Sequence, residues 1–276
     1  MKTSLFGGTG FILSNYAKMF PDETYIEPRN NNIPSNDNVL YGISTVDNYN
    51  IFKDVHLDIN TNLNKLMDVL PNVTGEFSFL SSWFIYSGGR QFTSTNGATE
   101  SEYGRPLGFY AASKLCAETL VESYCKTFNK EYRILRLCNV IGGDVAAGKK
   151  KNALEFLIGK ILKSEPIDIY KGDNYRNFLH VEDVCEAINL ATSKGNINEI
   201  YNIGAQNSHK LIDIVNHVMK LTKSKSKINY VDVPTFHSIV QAPNFFMNCQ
   251  KLYDLGFQPK YDVYKAVELI VEKSIL

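Results

Sequence analysis

The chain has 276 residues, 44% of them hydrophobic and 12% aromatic, enough to bury a sizeable core in one large α/β unit or in a domain with a smaller companion. Lys plus Arg and Asp plus Glu are equal at 29 each, so the basic excess of a nucleic-acid coat is missing, and the one charge run, Lys149-Lys150-Lys151, is too short to supply it. No stretch approaches the roughly 20 apolar residues that span a bilayer, and the N-terminus lacks the apolar core of a secretory signal. Five scattered cysteines (Cys116, Cys125, Cys138, Cys185, Cys249) without CxxC spacing read as reduced thiols, so a cytoplasmic protein with no metal centre, no nucleic-acid partner and no membrane span is expected.

Strand-length apolar runs alternate with helical patterns, which predicts βαβ units around a parallel sheet. Thr3–Phe6 reads as a buried strand, and Phe11 to Phe20 as a helix stopped by Pro21. Thr24–Glu27 and Val39–Ile43 are the next strands, with an Asn/Pro-rich loop between them and no helix. A helix is expected from about Ile59 to Leu70, a strand over Phe77–Tyr86, a long helix from Tyr110 to Phe128 and a strand over Arg133–Val140. Beyond residue 140 the pattern is shorter and mixed. Helices are expected near Asn152–Leu162, Val184–Thr192, Lys210–Leu221 and Tyr264–Ser274, with short strands at Ile167–Tyr170, Glu199–Ile203 and Ile228–Val233. No repeat or linker separates the halves. The reading is a Rossmann-like doubly wound α/β domain (residues 1–140 plus about 177–206) interleaved with a small α/β substrate domain (about 141–176 plus 207–276).

The turn Phe6-Gly7-Gly8-Thr9-Gly10-Phe11-Ile12 joins the first strand to the first helix. Glycines there let the backbone approach a pyrophosphate whose charge the helix N-terminus favours. The position of a third glycine, which would bring helix and sheet close, is Leu13; that side chain must push the helix outward or find a pocket. At the end of the second strand, Glu27 can accept from adenosine ribose hydroxyls and would repel a 2′-phosphate, whereas Arg29 would welcome one. NAD is the first choice over NADP, and a solvated strand end is the alternative for both residues.

Tyr110 and Lys114 lie one turn apart on a helix. A tyrosine pKa of ~10 is too high for a base near neutrality, and a nearby ammonium lowers it. Ser82 follows an apolar strand at the carboxyl end where ligands of open α/β sheets gather, and can hold a substrate oxygen beside Tyr110.

With these motifs the sequence resembles the extended short-chain dehydrogenase/reductases of the NAD(P)-dependent epimerase/dehydratase group, which act mainly on nucleotide sugars. The resemblance rests on GGTGFI (Gly7–Ile12), FLSSWFIYS (Phe79–Ser87), YAASK (Tyr110–Lys114), RILRLCNVIG (Arg133–Gly142), YRNFLHVEDV (Tyr175–Val184) and EIYNIG (Glu199–Gly204). It implies Ser82, Tyr110 and Lys114 as catalytic residues. Gly7, Thr9, Gly10, Phe11, Ile12, Glu27, Arg29 and Lys114 would bind the cofactor, and Ser82, Trp83, Asn139, Asn152 and Arg176 the substrate. For Asn152 a helix N-cap is the competing role, and Arg176 offers guanidinium geometry to a diphosphate. A homodimer through the YxxxK helix is also implied.

The chain departs from the family pattern in three places. The helix between strands 2 and 3 is missing, which opens the adenine side. An arginine before the last helices is lacking, so that His237 or Gln241 must serve. Trp83-Phe84 stands where 4,6-dehydratases carry an acid, which disfavours dehydration. The expected activity is nucleotide-sugar epimerisation or 4-keto-sugar reduction. The rivals are a non-catalytic cofactor-binding regulator, which has no use for Ser82, Tyr110 and Lys114 together, and a reductase of a non-sugar carbonyl.

Overall fold

A computed structural model describes residues 2–143 and 152–275, so Lys149-Lys150-Lys151 lie outside the described residues. The chain begins with β1 (Thr3–Phe6), α1 (Phe11–Met19), β2 (Thr24–Ile26) and β3 (Asn38–Tyr41). A helical run of α2 (Leu57–Ile59), a π turn (Asn60–Asn64) and α3 (Lys65–Val69) leads to β4 (Phe77–Ser82), α4 (Phe109–Thr127) and β5 (Tyr132–Leu137). Then follow β6 (Asn139–Ile141), α5 (Ala153–Leu162), β7 (Ile167–Tyr170), β8 (Tyr175–Arg176), β9 (Phe178–His180) and α6 (Val181–Lys194). The chain closes with β10 (Glu199–Ile203), β11 (His209–Lys210), α7 (Leu211–Thr222), β12 (Ile228–Val231), α8 (Thr235–Val240), α9 (Gln250–Asp254) and α10 (Val263–Ile275).

The main sheet has six strands in the order β2-β1-β3-β4-β5-β10, and every pairing is parallel. Both faces are covered, as a parallel sheet requires, and alternate residues serve opposite faces. Leu5, Leu40, Leu80 and Leu135 join one apolar cluster with Leu13 of α1 and Val184, Ala187 and Ile188 of α6. Phe6, Val39, Tyr41, Phe79 and Ile134 join the other with Leu66 and Val69 of α3 and Ala117 and Val121 of α4. The chain is thus an α/β protein of the Rossmann type. Because β2 lies on one side of β1 while β3 and later strands lie on the other, strand order reverses at β1, where open α/β sheets bind ligands.

No helix joins β2 to β3, as the Asn/Pro-rich stretch predicts: residues 27–37 cross as a loop. Two expectations change. The strand predicted over Phe77–Tyr86 stops at Ser82, because the Ser82 hydroxyl accepts from Phe84 N at 3.3 Å and starts a 3-10 turn over Trp83–Tyr86. The strand expected over Arg133–Val140 likewise breaks at Cys138, where the chain leaves the sheet and Asn139–Ile141 pairs with β9 instead.

A second apolar core lies outside the sheet, built from Ile141, α5, β7, Phe178, α7 and α10. Phe245, Met247, Cys249, Leu252 and Phe257, although late in the chain, pack with the sheet's core and not with this one.

Candidate active site

The glycine turn sits at the reversal point. Gly7 has φ +89°, and a Cβ there would fall 2.9 Å from Ile43 N, so the turn after β1 closes directly on the chain leaving β3. Gly10 N donates to Gly7 O at 2.8 Å and caps α1, with no side-chain cap and no carboxylate in the helix's first turn. The positive helix end is therefore open to an anion beside Thr9, Gly10, Phe11 and Ile12, which fits the pyrophosphate of a dinucleotide. Leu13 does not force α1 away from the sheet. Its side chain is 2% exposed and lies against Gly42, where a Cβ would fall 2.8 Å from Leu13 Cδ1. The room that a helix glycine would have made is made by a glycine on the strand side.

The Glu27 carboxylate is buried and hydrogen-bonded within the protein. It accepts from Ser4 Oγ at 2.7 Å and Ser35 N at 2.6 Å on one oxygen, and from Asn31 Nδ2 at 2.8 Å and Ser35 Oγ at 3.1 Å on the other. Burial works to raise its pKa, but these hydrogen bonds outweigh it and hold the carboxyl below its usual range. Glu27 thus organises the loop that stands where the helix is missing. Arg29 is exposed and makes no hydrogen bond or ion pair with the described residues.

Ser82 ends β4 and Tyr110 opens α4, both buried, and the structure brings them together: the hydroxyls of Ser82 and Ser44 lie near the Tyr110 phenol and favour its ionised form. Burial nevertheless dominates and raises the phenol's pKa above its ordinary value. Lys114 does not counter this. Its ammonium donates to Leu80 O at 2.6 Å and lies 4.3 Å from the centre of the Phe79 ring. At 2% exposure, burial brings its own pKa down to about 7, with the Glu118 carboxylate opposing. The expected depression of the tyrosine pKa by this lysine is therefore not seen, because Lys114 is turned to the β4 backbone.

A profile described as the NAD dependent epimerase/dehydratase family matches residues 40–204, well over half the chain. The chain belongs to that family. Among relatives, it is 32% identical over 155 residues to a trifunctional UDP-glucose 4,6-dehydratase/UDP-4-keto-6-deoxy-D-glucose 3,5-epimerase/UDP-4-keto-L-rhamnose-reductase of Arabidopsis thaliana, covering 55% of this chain and 22% of that protein. A Methanocaldococcus jannaschii protein named "Putative UDP-glucose 4-epimerase" is 27% identical over 300 residues, covering 96% of this chain and 95% of its own length. In fold, the chain is similar to the UDP-glucose 4-epimerase of Thermotoga maritima solved with UDP-glucose, with TM-score 0.86, 20% identity and coverage of 99% and 98% of the two chains. The chain thus spans about a fifth of the length of some curated relatives and nearly all of others.

Within this family member, several residues expected at the substrate are spent on structure. Asn152 caps α5 by accepting from Glu155 N at 2.9 Å, and its amide donates to Val140 O at 2.8 Å, so the N-cap role holds. Asn139 donates to Asn177 O at 3.0 Å and ties β6 to β9. Trp83 is 3% exposed and stacks on Phe84 at 4.1 Å and Phe245 at 4.3 Å, which makes it a core residue; Phe84, edge-on to Tyr110 at 5.9 Å, is the aromatic that reaches the site. His237 meets the hydroxyls of Tyr49 and Tyr170 with its two ring nitrogens, and burial lowers its pKa, so it clasps the Asn48–Phe52 turn to β7 and does not replace the absent arginine. Gln241 stands at the end of α8, half-buried. Arg176 is the exception. Its guanidinium donates to Tyr175 O at 2.8 Å and Pro243 O at 2.7 Å and meets no carboxylate among the described residues. Burial lowers its pKa to about 10, so it stays cationic and unneutralised.

Sequence reasoning missed a polar cluster behind Tyr110. Asn62, inside the π turn, donates to Ser113 Oγ at 2.8 Å and accepts from Thr45 N, while Asp58 accepts from Thr45 Oγ1. Ser113 in turn donates to Tyr110 O at 2.8 Å. The Asn-rich run Asn60–Asn64 carried a signal, since π turns gather at functional sites.

Proposed function

We propose that this chain oxidises or reduces a ring carbon of a nucleotide-linked sugar, as an epimerase or a 4-keto-sugar reductase, with Tyr110 moving the proton. The observation that carries this is the meeting of Ser82 and Tyr110 at the carboxyl edge of the sheet, beside the crevice between β1 and β3. Gly7–Ile12 would hold a nicotinamide dinucleotide, which would supply or accept the hydride. Ser82 orients the sugar oxygen by hydrogen bonding. Burial keeps Tyr110 protonated in the unliganded chain, so it is poised to donate a proton to a carbonyl as that carbonyl is reduced. A 4-keto-sugar reductase and an epimerase, which uses the same residue in both directions, both follow from this arrangement. Dehydration is disfavoured by Trp83-Phe84, which place no carboxyl after Ser82, although relatives include dehydratases. Arg176, cationic and free of a carboxylate, is suited to the diphosphate. The second core, with α5, α7 and α10, forms the substrate-side unit.

The test incubates the purified protein with reduced cofactor and UDP- or dTDP-linked 4-keto-6-deoxysugars, following nicotinamide absorbance and the sugar products by NMR, alongside UDP-hexose epimer exchange. Turnover falling by about 10²–10⁴-fold in Tyr110→Phe, with dinucleotide still bound, is the expected result. Dinucleotide binding with neither hydride transfer nor epimer exchange would leave the non-catalytic regulator standing instead.

A further inference from the structure

One turn beyond Lys114 on α4 begins a network of buried charges that the mechanism does not use. Glu118 is 3% exposed, and Arg136 on β5 is 4% exposed. The guanidinium donates from Nη2 to one carboxylate oxygen of Glu118 at 2.7 Å and from Nε to both oxygens at 3.2 Å. Ser81, the neighbour of Ser82 on β4, donates to the same carboxylate. The remaining guanidinium nitrogen donates to Tyr86 Oη at 2.6 Å and Glu100 O at 3.0 Å, and Tyr86 Oη donates in turn to Asn202 Oδ1 at 2.9 Å. Both oxygens of Glu118 are thus occupied, and a chain of hydrogen bonds running to β10 fixes the guanidinium from its far side.

Helical spacing alone would give a different pairing. Residues four apart on a helix are neighbours, so Glu118 is placed to take the Lys114 ammonium. That ammonium donates instead to Leu80 O. Glu118 is the carboxylate whose charge reaches Lys114, where it opposes the effect of burial; Asp58, behind the site, acts on Tyr110 and accepts from Thr45 Oγ1. Breaking a buried ion pair is costly, so a lysine locked onto Glu118 would not turn to a bound dinucleotide or lend its charge to the Tyr110 phenol. A lysine held by a single backbone carbonyl can do both. The planar fork of an arginine matches a carboxylate better than an ammonium does, which makes Arg136 the stronger claimant for Glu118.

Resting on the hydride-transfer reading above, we propose that Arg136 is a positioning residue: by occupying the Glu118 carboxylate it keeps Lys114 out of a buried ion pair and free to reach Tyr110 and the cofactor. The first readout needs no turnover. Cofactor-free protein carrying lysine labelled with carbon-13 at Cε is titrated by NMR as wild type, Arg136→Met and the double variant Glu118→Gln/Arg136→Met, with Lys114→Met assigning the resonance. Removing the arginine alone should raise the Lys114 midpoint by about 1–3 pH units, as the freed carboxylate takes the ammonium. Removing the carboxylate as well should return the midpoint to the wild-type value or below it. In the turnover assay Arg136→Met should lower kcat by about 10²-fold with the sugar's KM largely unchanged, and the double variant should recover most of that loss. If Arg136→Met does not fold, Arg136→Lys, which keeps the charge but not the fork, replaces it with a smaller upward shift. An unchanged Lys114 midpoint in the arginine variant, or a shift that the double variant does not reverse, overturns the proposal whatever the turnover. The expected titrations in a protein that transfers no hydride would uphold the clamp on Glu118 and overturn the hydride-transfer reading.

Discussion

Lys114 is a cation held where water does not reach, and its surroundings have a measurable consequence. Its pKa is lowered to about 7 in the folded chain, chiefly by burial, against an ordinary lysine value of ~10.4 when unfolded. Below roughly pH 7 both states carry the proton and the cost of burying the charge is fully present. Between the two values the unfolded chain holds a proton that the folded chain has lost, so rising pH stabilises the fold, and above both the contribution is constant. Measured by denaturant unfolding of the cofactor-free protein from about pH 7 to about pH 8.5, stability should rise relative to Lys114→Met by up to roughly 1.4 kcal/mol per pH unit. A pH-independent difference between the two proteins would show that Lys114 stays charged when buried. The residue types of the site were legible from spacing, since YxxxK and the strand-end Ser82 need only local periodicity. What Lys114 and Glu27 touch was not, because Leu80 O and Ser35 reach them through tertiary packing.

At the level of elements, the contact between α1 and the start of the crevice depends on a pair of residues 29 positions apart, Leu13 and Gly42. Gly42→Ala alone places a methyl against Leu13 and should cost about 1–3 kcal/mol. Leu13→Ala alone leaves a cavity and should cost about 2–5 kcal/mol. The double variant should cost less than the sum, with a coupling of at least about 0.5 kcal/mol in a double-mutant cycle from denaturant unfolding; strict additivity would mean that the two side chains do not share that space. The sequence showed Leu13 as a misfit because a glycine motif is read along one helix, and its counterpart lies on another strand. The absent helix between β2 and β3, by contrast, was plain from the Asn and Pro content of residues 27–37. The end of β4 was misplaced because Trp83-Phe84-Ile85-Tyr86 has strand composition and only the Ser82 cap turns it into a 3-10 helix.

For the whole molecule, we propose a homodimer through α4. Its outward side presents Phe109, Ala112, Cys116, Thr119 and Ser123, all exposed and uncharged, which lets a second helix approach closely. Light scattering after size exclusion should give twice the chain mass at micromolar concentration, and Ala112→Arg should shift it to monomer without lowering the unfolding free energy of the chain by more than about 1 kcal/mol. A monomeric wild type would remove the proposal. The doubly wound architecture was legible because buried parallel strands are nearly continuous apolar runs, whereas the path of the later chain was not, its short elements lacking any period that says which core they join. That path alternates: residues up to Cys138 serve the sheet's core, Ile141–Phe178 the second, Leu179–Ile203 the first again, Ile214–Val218 the second, Phe245–Phe257 the first, and Val263–Val271 the second. Such a chain cannot be recombined in blocks. Almost any single crossover with a relative would assemble one core from two parents' side chains, so new specificities on this scaffold arise far more readily by point substitution than by exchange of a ready-made module.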